Sequence, residues 1–250
     1  MKIRFLYFLL LLFTIASCNE SKYVISHIDA SYVAMDSTFD GKANPDIVSL
    51  INSYKKQLDA EMNVVIGKAA RNLTIDPPDY LLVNLTADAM KQHGDEHIKD
   101  GVDMAFMNIN GHRASLNKGT ITLGDIYRIY PFDNELVFLE LKGEDLETTF
   151  NSFAEKSPQG FSSNIKLTIQ NKQVNSLTID GKPLDKDKIY KIVTIDYLAE
   201  GNDGMSPLKN AITISATGVL LRDMIIDYIK RSTIEGREID MVADGRLTIK

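Results

Sequence analysis

The densest reactive cluster in the sequence is His93-Gly94-Asp95-Glu96-His97, which fits the H-x-x-E-H pattern of inverted zinc peptidases. Zinc chemistry of that kind needs both histidines on one face of a stable helix, plus a third ligand elsewhere. Gly94 and Asp95 are poor helix-interior residues, and the stretch falls between a helix end and a strand, so it reads as a polar turn. The remaining histidines, His27 and His112, lie far apart and are too few for a dinuclear phosphoesterase centre. No G-x-S-x-G elbow and no P-loop occurs. These residues make no self-sufficient active site, so no catalytic residue and no metal ligand is expected in this chain.

Three short loops carry residue types suited to binding instead. They are Asn108-Ile109-Asn110-Gly111-His112-Arg113, Tyr130-Pro131-Phe132-Asp133-Asn134, and the stretch from Tyr197 to Gly204 that contains Asp203. Each adjoins an expected strand, and loops at strand ends are where α/β folds commonly hold ligands. Two aromatics, an amide, a guanidinium and a carboxylate together suit a nucleoside. Aromatic faces can sandwich a base, with stacking worth roughly 1–3 kcal/mol per base. Asn can read a base edge, Asp can accept from ribose hydroxyls, and Arg can hold a hydroxyl or a phosphate. Taken singly, Phe132 and Tyr197 also suit packing, and Arg113 and Asp203 also suit solvated or capping positions. Spacing alone leaves that choice open.

The elements that must position these loops are legible from periodicity and punctuation. Asn44-Pro45-Asp46 opens a helix, with Ile47, Leu50, Ile51, Tyr54 and Leu58 on one face. Val64 to Ile66 reads as a strand, Leu81 to Lys91 as a helix, and Val102 to Met107 as a buried strand. Thr122 and Asp125 form a capping-box pattern for a short helix that ends before Pro131. Glu135 to Leu141 is an expected strand, and Glu144 to Phe153 a helix with Leu146, Phe150 and Phe153 inward. Ile165–Ile169 and Val174–Ile179 suggest a hairpin closed around Asn171 and Lys172. Tyr190 to Ile195 is another strand, Thr217 is expected to cap a long helix through Lys230, and Arg246 to Ile249 closes as a strand. Interleaved helices and strands with consecutive strand pairs define an α/β (α+β) class: a mixed β-sheet with packed helices in one compact domain.

Lys2 and Arg4 precede an apolar run from Phe5 to Ile15 that is too short to span a bilayer but fits a secretory h-region. It closes on Ile15-Ala16-Ser17-Cys18, the pattern cut by lipoprotein signal peptidases. Residues 1–17 are therefore expected to be a signal peptide and Cys18 a lipidated N-terminus, anchored to the bacterial cell envelope on a periplasmic or surface face. Cys18 is the only cysteine, so an intrachain disulfide and a Cys nucleophile are both excluded. Residues 18–44 are small, polar and acidic and read as a tether, with Tyr23–Ile28 as one short strand. Residues 45–250 form the folded domain. Loss of Lys2 and Arg4 moves the formal net charge from −6 to −8, which makes nucleic acid a poor partner.

The three loops also carry a family resemblance. The 5'-nucleotidase family, in its C-terminal substrate-recognition domain, reads N-G-G-G-I-R, P-F-G-N and F-x-A-x-G-G-D-G where this chain has Asn108–Arg113, Pro131–Asn134 and Tyr197–Gly204. The family's G-N-L-x-x-D-A-M helix is similar to Val83–Met90, and its G-x-I-T-x-x-D-x-Y segment to Gly119–Tyr127. The resemblance runs from about residue 45 to the end. It implies a base stacked between Phe132 and Tyr197, Asn108 on the base, Asp203 on the ribose, and Arg113 on the ribose or phosphate side. Tyr197 replaces the family's second phenylalanine. Ile109, Asn110, Asp133 and Asn202 replace glycines, which predicts a tighter or altered pocket. A further family arginine, upstream of the G-N-L helix, is replaced near Asp76-Pro77-Pro78, and an acid in its place predicts weaker phosphate binding.

The family's metal-bearing phosphoesterase domain, which precedes this one, is not expected here. The implied function is the nucleotide-recognition part of a split 5'-nucleotidase, with divalent metal ions held by a separately encoded metallophosphoesterase and no cofactor in this chain. The alternatives are a stand-alone nucleoside-binding lipoprotein for capture or uptake, a domain kept for protein interaction, and a metallopeptidase using His93 and His97.

Overall fold

The computed structural model describes residues 25–34, 36–156 and 159–250. The expected signal peptide and the lipidation site Cys18 lie outside those residues. So do Tyr23 and Val24 of the short strand expected over Tyr23–Ile28. The rest of that stretch, Ile25 to Ile28, is exposed and in no strand, because no neighbouring edge supplies hydrogen bonds and no face is buried. A 3₁₀ turn spans Ser37–Lys42. Among the described residues, no helix is long and apolar enough to cross a membrane.

The chain divides into two units, Met1–Leu50 and Ile51–Lys250. Helix α1 (Pro45–Met62) starts where expected, with Asn44 Oδ1 accepting from the Asp46 N–H at 2.9 Å. Its apolar stripe has the helical spacing, but none of its residues is buried.

In the second unit, β1 (Val65–Ala69) pairs antiparallel with β3 (Gly119–Thr122). A five-stranded sheet has the order β10-β4-β9-β2-β5, from Thr213–Leu220, Glu135–Lys142, Ile189–Ile195, Met104–Met107 and Gly160–Phe161. Strands β2 and β9 are parallel and the other pairs antiparallel, the mixed sheet that the sequence predicts. A four-stranded sheet, β11-β6-β7-β8, is built on the hairpin β6 (Ile165–Gln170) and β7 (Gln173–Ile179), flanked by β8 (Lys182–Pro183) and β11 (Leu247–Ile249). Asn171 and Lys172 close the hairpin at φ +51° and +61°, the left-handed pair that a tight two-residue turn requires.

Every residue of β2 is buried, because helices cover it: α2 (Leu81–His97) and α4 (Gly143–Glu155) both contribute to the core. Phe106 of β2 meets Phe150 and Phe153 of α4 edge-to-face, with centroids 5.6 and 5.8 Å apart. The short α3 (Leu123–Ile129) is opened by the predicted capping box, reciprocal between Thr122 and Asp125.

Two expectations are corrected. The helix predicted to stop at Lys91 continues through the supposed polar turn to His97. Tertiary packing outweighs local propensity there. Gly94 lies against Val102, where a Cβ would stand 2.7 Å from a methyl, and Asp95 accepts from the Val102 N–H at 3.0 Å. Thr217 does not cap a helix. It sits in β10, donating to the Leu136 carbonyl at 2.8 Å, and the strand runs past Gly218 (φ +72°) before α6 (Leu221–Ile234) begins. Pairing with the β4 edge holds the chain extended there, which the apolar periodicity of the following helix had masked.

Candidate functional site

Strand direction explains why three loops far apart in sequence meet. Parallel β2 and β9 end on the same side of the sheet, which places the Asn108 loop beside the short helix α5 (Asp196–Ala199). Strand β4 runs antiparallel to β9 with Leu136 opposite Ile195, so its incoming loop, Tyr130–Asn134, arrives at that same end. The result is a cavity of about 390 Å³. Its lining includes all of Asn108, Arg113, Phe132, Tyr197 and Asp203. The volume lies in the range typical of small-molecule sites.

The two aromatic rings are not absorbed into the core: Phe132 and Tyr197 are each 40% exposed. The Arg113 guanidinium lies 4.9 Å from the Phe132 centroid, close enough for a cation–π contact, and forms no ion pair among the described residues. Across the cavity, Asp203 stands at φ +51°, a left-handed conformation that Asp and Asn tolerate better than most residues. Its carboxylate accepts from Asn108 Nδ2 at 2.7 Å and from Tyr197 Oη at 3.2 Å. The negative charge of Asp203 raises the Tyr197 phenol above its ordinary value. Gln159 Nε2 donates to the Asp203 carbonyl at 3.4 Å, and Ser152 Oγ to the Gly204 carbonyl at 2.8 Å.

The replaced glycines do not strain these loops. Ile109 and Asn110 start a 3₁₀ turn, Ile109–Gly111, and neither needs positive φ. At Gly111 a Cβ would collide with Met107 Cε and fall 2.5 Å from Asn108 Oδ1, so a larger residue would displace both side chains. Asn202 donates to the Tyr197 carbonyl at 2.8 Å. Asp133 pairs with the buried Arg222 of α6 at 2.6 Å, and the same guanidinium donates to the Tyr130 carbonyl at 3.2 Å. It also stacks 4.3 Å over the Tyr127 ring. The loop carrying Phe132 is thereby fastened to the helix behind it.

Beneath the pocket lies a closed polar network. His112 is fully buried, with Nε2 2.8 Å from Thr86 Oγ1 and Nδ1 3.3 Å from the Asn108 and Ile109 carbonyls. Tyr130 Oη is 2.7 Å from the same Thr86 hydroxyl. Two carbonyls facing Nδ1 assign the proton there; Nε2 and the Leu82 carbonyl, each 2.8 Å from Thr86 Oγ1, share that hydroxyl's one proton, and Tyr130 donates to the Thr86 oxygen. Burial pushes the His112 imidazole down to about 4 and the Tyr130 phenol up.

Asn110, Gly111 and Asn134 also line the cavity. They stand in the loops quoted above, but nothing in their spacing separated lining from support. Gln159 had no sequence signal.

Elsewhere, His93 and His97 stack at 4.1 Å on the last turns of α2, and Arg231 of α6 pairs with Glu96 at 2.8 Å. Among the described residues, no group of three or more His, Cys, Asp or Glu is arranged to hold a metal ion.

A mixed sheet with packed helices, whose strand-end loops line an aromatic-walled cavity, defines a domain of the α/β class. The profile of the family described as 5'-nucleotidase, C-terminal domain, matches residues 65–210, and the chain belongs to that family. It is similar to Protein UshA of Yersinia enterocolitica, 27% identical over 197 residues, covering 75% of this chain and 35% of that protein. Cell wall protein Lmo0130 of Listeria monocytogenes is 28% identical over 233 residues, covering 83% of this chain and 30% of that one. The chain thus spans about a third of the length of these relatives. Among solved structures, a 5'-nucleotidase precursor from Thermus thermophilus aligns with a TM-score of 0.71 at 25% identity, covering 81% of this chain and 42% of that one.

Proposed function

We propose that this domain recognises the nucleoside part of a nucleotide, in nucleotide catabolism, while a separately encoded metallophosphoesterase cleaves the phosphate ester. The observation that carries this reading is the convergence of Asn108, Arg113, Phe132, Tyr197 and Asp203 on one cavity from three loops. Phe132 and Tyr197 supply faces for a base, Asp203 an acceptor for ribose hydroxyls, and Arg113 a cation for the ribose or phosphate side. Divalent metal in the partner domain would supply an activated water. This chain's residues bind and orient the ester and exclude competing poses. Export and lipid anchoring at Cys18 belong to the same proposal, and the cell-wall description of one relative supports export.

A second reading, nucleoside capture without hydrolysis, draws on Arg113 being the one cationic side chain in the pocket lining. Titration calorimetry of adenosine and AMP into the purified protein separates the two. Split-nucleotidase action predicts saturable binding of both, and AMP hydrolysis that accelerates when a metallophosphoesterase from the same organism is added. Binding indifferent to phosphate, with no rate gain from any such enzyme, would favour capture.

A further inference from the structure

The Asp203 carboxylate is held by two protein donors from opposite sides. Asn108 Nδ2 reaches one oxygen at 2.7 Å and Tyr197 Oη the other at 3.2 Å. Only the NH₂ end of an amide can face a carboxylate, so chemistry fixes the orientation of Asn108. Its Oδ1 is buried without a hydrogen-bond partner, turned toward Gly111. Asn108 is 3% exposed, so neither end of the amide is offered freely to a ligand. The left-handed backbone at Asp203, φ +51°, carries the carboxylate into the cavity where both donors meet it.

An ionised carboxylate has about four lone-pair sites. The two donors take one on each oxygen and leave one on each, a pair of adjacent acceptors that matches two neighbouring hydroxyls. We propose that Tyr197 and Asn108 are positioning residues that aim Asp203 at a cis-diol, so that the pocket selects ribonucleosides over their deoxy counterparts. This rests on the nucleoside reading above. The resemblance implies that the acid meets the ribose, and it places a phenylalanine where Tyr197 stands. What the structure adds is the phenol as a second donor to that acid, which ties the base-stacking ring to the sugar contact. Tyr197 therefore acts twice, through its face on the base and through its hydroxyl on Asp203.

The test is calorimetric titration of the full chain with adenosine and with 2′,3′-dideoxyadenosine. The unmodified protein is expected to prefer adenosine by about tenfold or more, the effect of hydrogen bonds to a charged acceptor. Tyr197→Phe keeps the stacking face, so dideoxyadenosine should bind as before while the preference for adenosine shrinks about threefold or more. Asp203→Asn, which also tolerates positive φ, should bring the ratio close to one. Melting temperatures of both variants near that of the parent would show that the fold is intact. An undiminished ratio in Tyr197→Phe would overturn the proposal, as would an equal loss for both nucleosides, which marks a stacking or packing role. Failure of the parent protein to bind either nucleoside defeats the nucleoside reading itself, and this proposal with it, and is told apart by needing no variant.

Discussion

The pocket and the end of α2 offer an instructive contrast, because each gathers polar and aromatic side chains that sequence spacing singles out. At the end of α2, His93 and His97 come together by local helical spacing. They stack on each other, and His97 Nδ1 bonds the His93 carbonyl at 2.8 Å. One ring nitrogen, His97 Nδ1, and one face of each ring are thereby engaged within the helix. In the pocket, the chemistry converges from three loops, and what is engaged is arranged differently. Buried His112 and Arg222 bond backbone carbonyls and buried Asn108 the Asp203 carboxylate, which holds the walls, while Phe132, Tyr197 and Arg113 face the cavity. Local clustering brings two rings face to face on one helix; long-range convergence gathers different chemistries around one cavity.

The largest effect that would sharpen this contrast is acid sensitivity. The unfolded chain protonates His112 near the ordinary value of 6.5, whereas the folded protein resists until about 4. Between those values the unfolded state binds more protons, so stability is full above pH 6.5 and falls as pH drops toward 4, by roughly 3 kcal/mol. Denaturant midpoints across that range should show the decline. His112→Gln, which keeps a donor and an acceptor but does not titrate, should flatten it. His93 is also depressed, by burial first and by the neighbouring His97, but it is less enclosed. An acid decline removed by His93→Ala and untouched by His112→Gln would break the comparison.

Next in size is the aromatic wall. Phe132→Ala should weaken adenosine binding by roughly 1–3 kcal/mol, read as dissociation constants, since one stacking face disappears. His93→Ala and His97→Ala together should leave that constant unchanged, and a shared loss would mean the two regions are coupled. Smallest is the loop anchor. Asp133→Asn removes the charge that pairs with Arg222, and because the Asp133 side chain is 76% exposed the cost should be about 1 kcal/mol or less in unfolding free energy.

Much of this arrangement was legible in the sequence, and what was not follows a pattern. The Thr122–Asp125 capping box, the Asn171–Lys172 hairpin and the inward face of α4 are local signals, and each appears in the structure. Gly94 and Asp95 misled because a glycine that is poor for an isolated helix is required where the helix presses on Val102. Strand β10 was hidden because Thr217 reads as a cap for the apolar-periodic helix that follows, and only the β4 edge decides otherwise. The five pocket residues were named from a resemblance, since spacing could not distinguish stacking from packing. The Asn108–Asp203 bond among them, and the Asp133–Arg222 pair that fastens the Phe132 loop, depend on strand order that no local pattern encodes.

The Asn108–Asp203 hydrogen bond joins residues 95 apart in the chain. Strands β2 and β9 pair across nearly the same separation, so the pocket should form only as the central sheet does. A nucleoside would then reward only the finished domain. By mass action it would raise the melting temperature of the second unit with the logarithm of its concentration above the dissociation constant, and ligand at about a hundred times that constant would add about 2.7 kcal/mol. Thermal shift would make the site its own reporter: at one adenosine concentration, a chain that has lost either half of the bond should show a smaller rise in melting temperature than the parent.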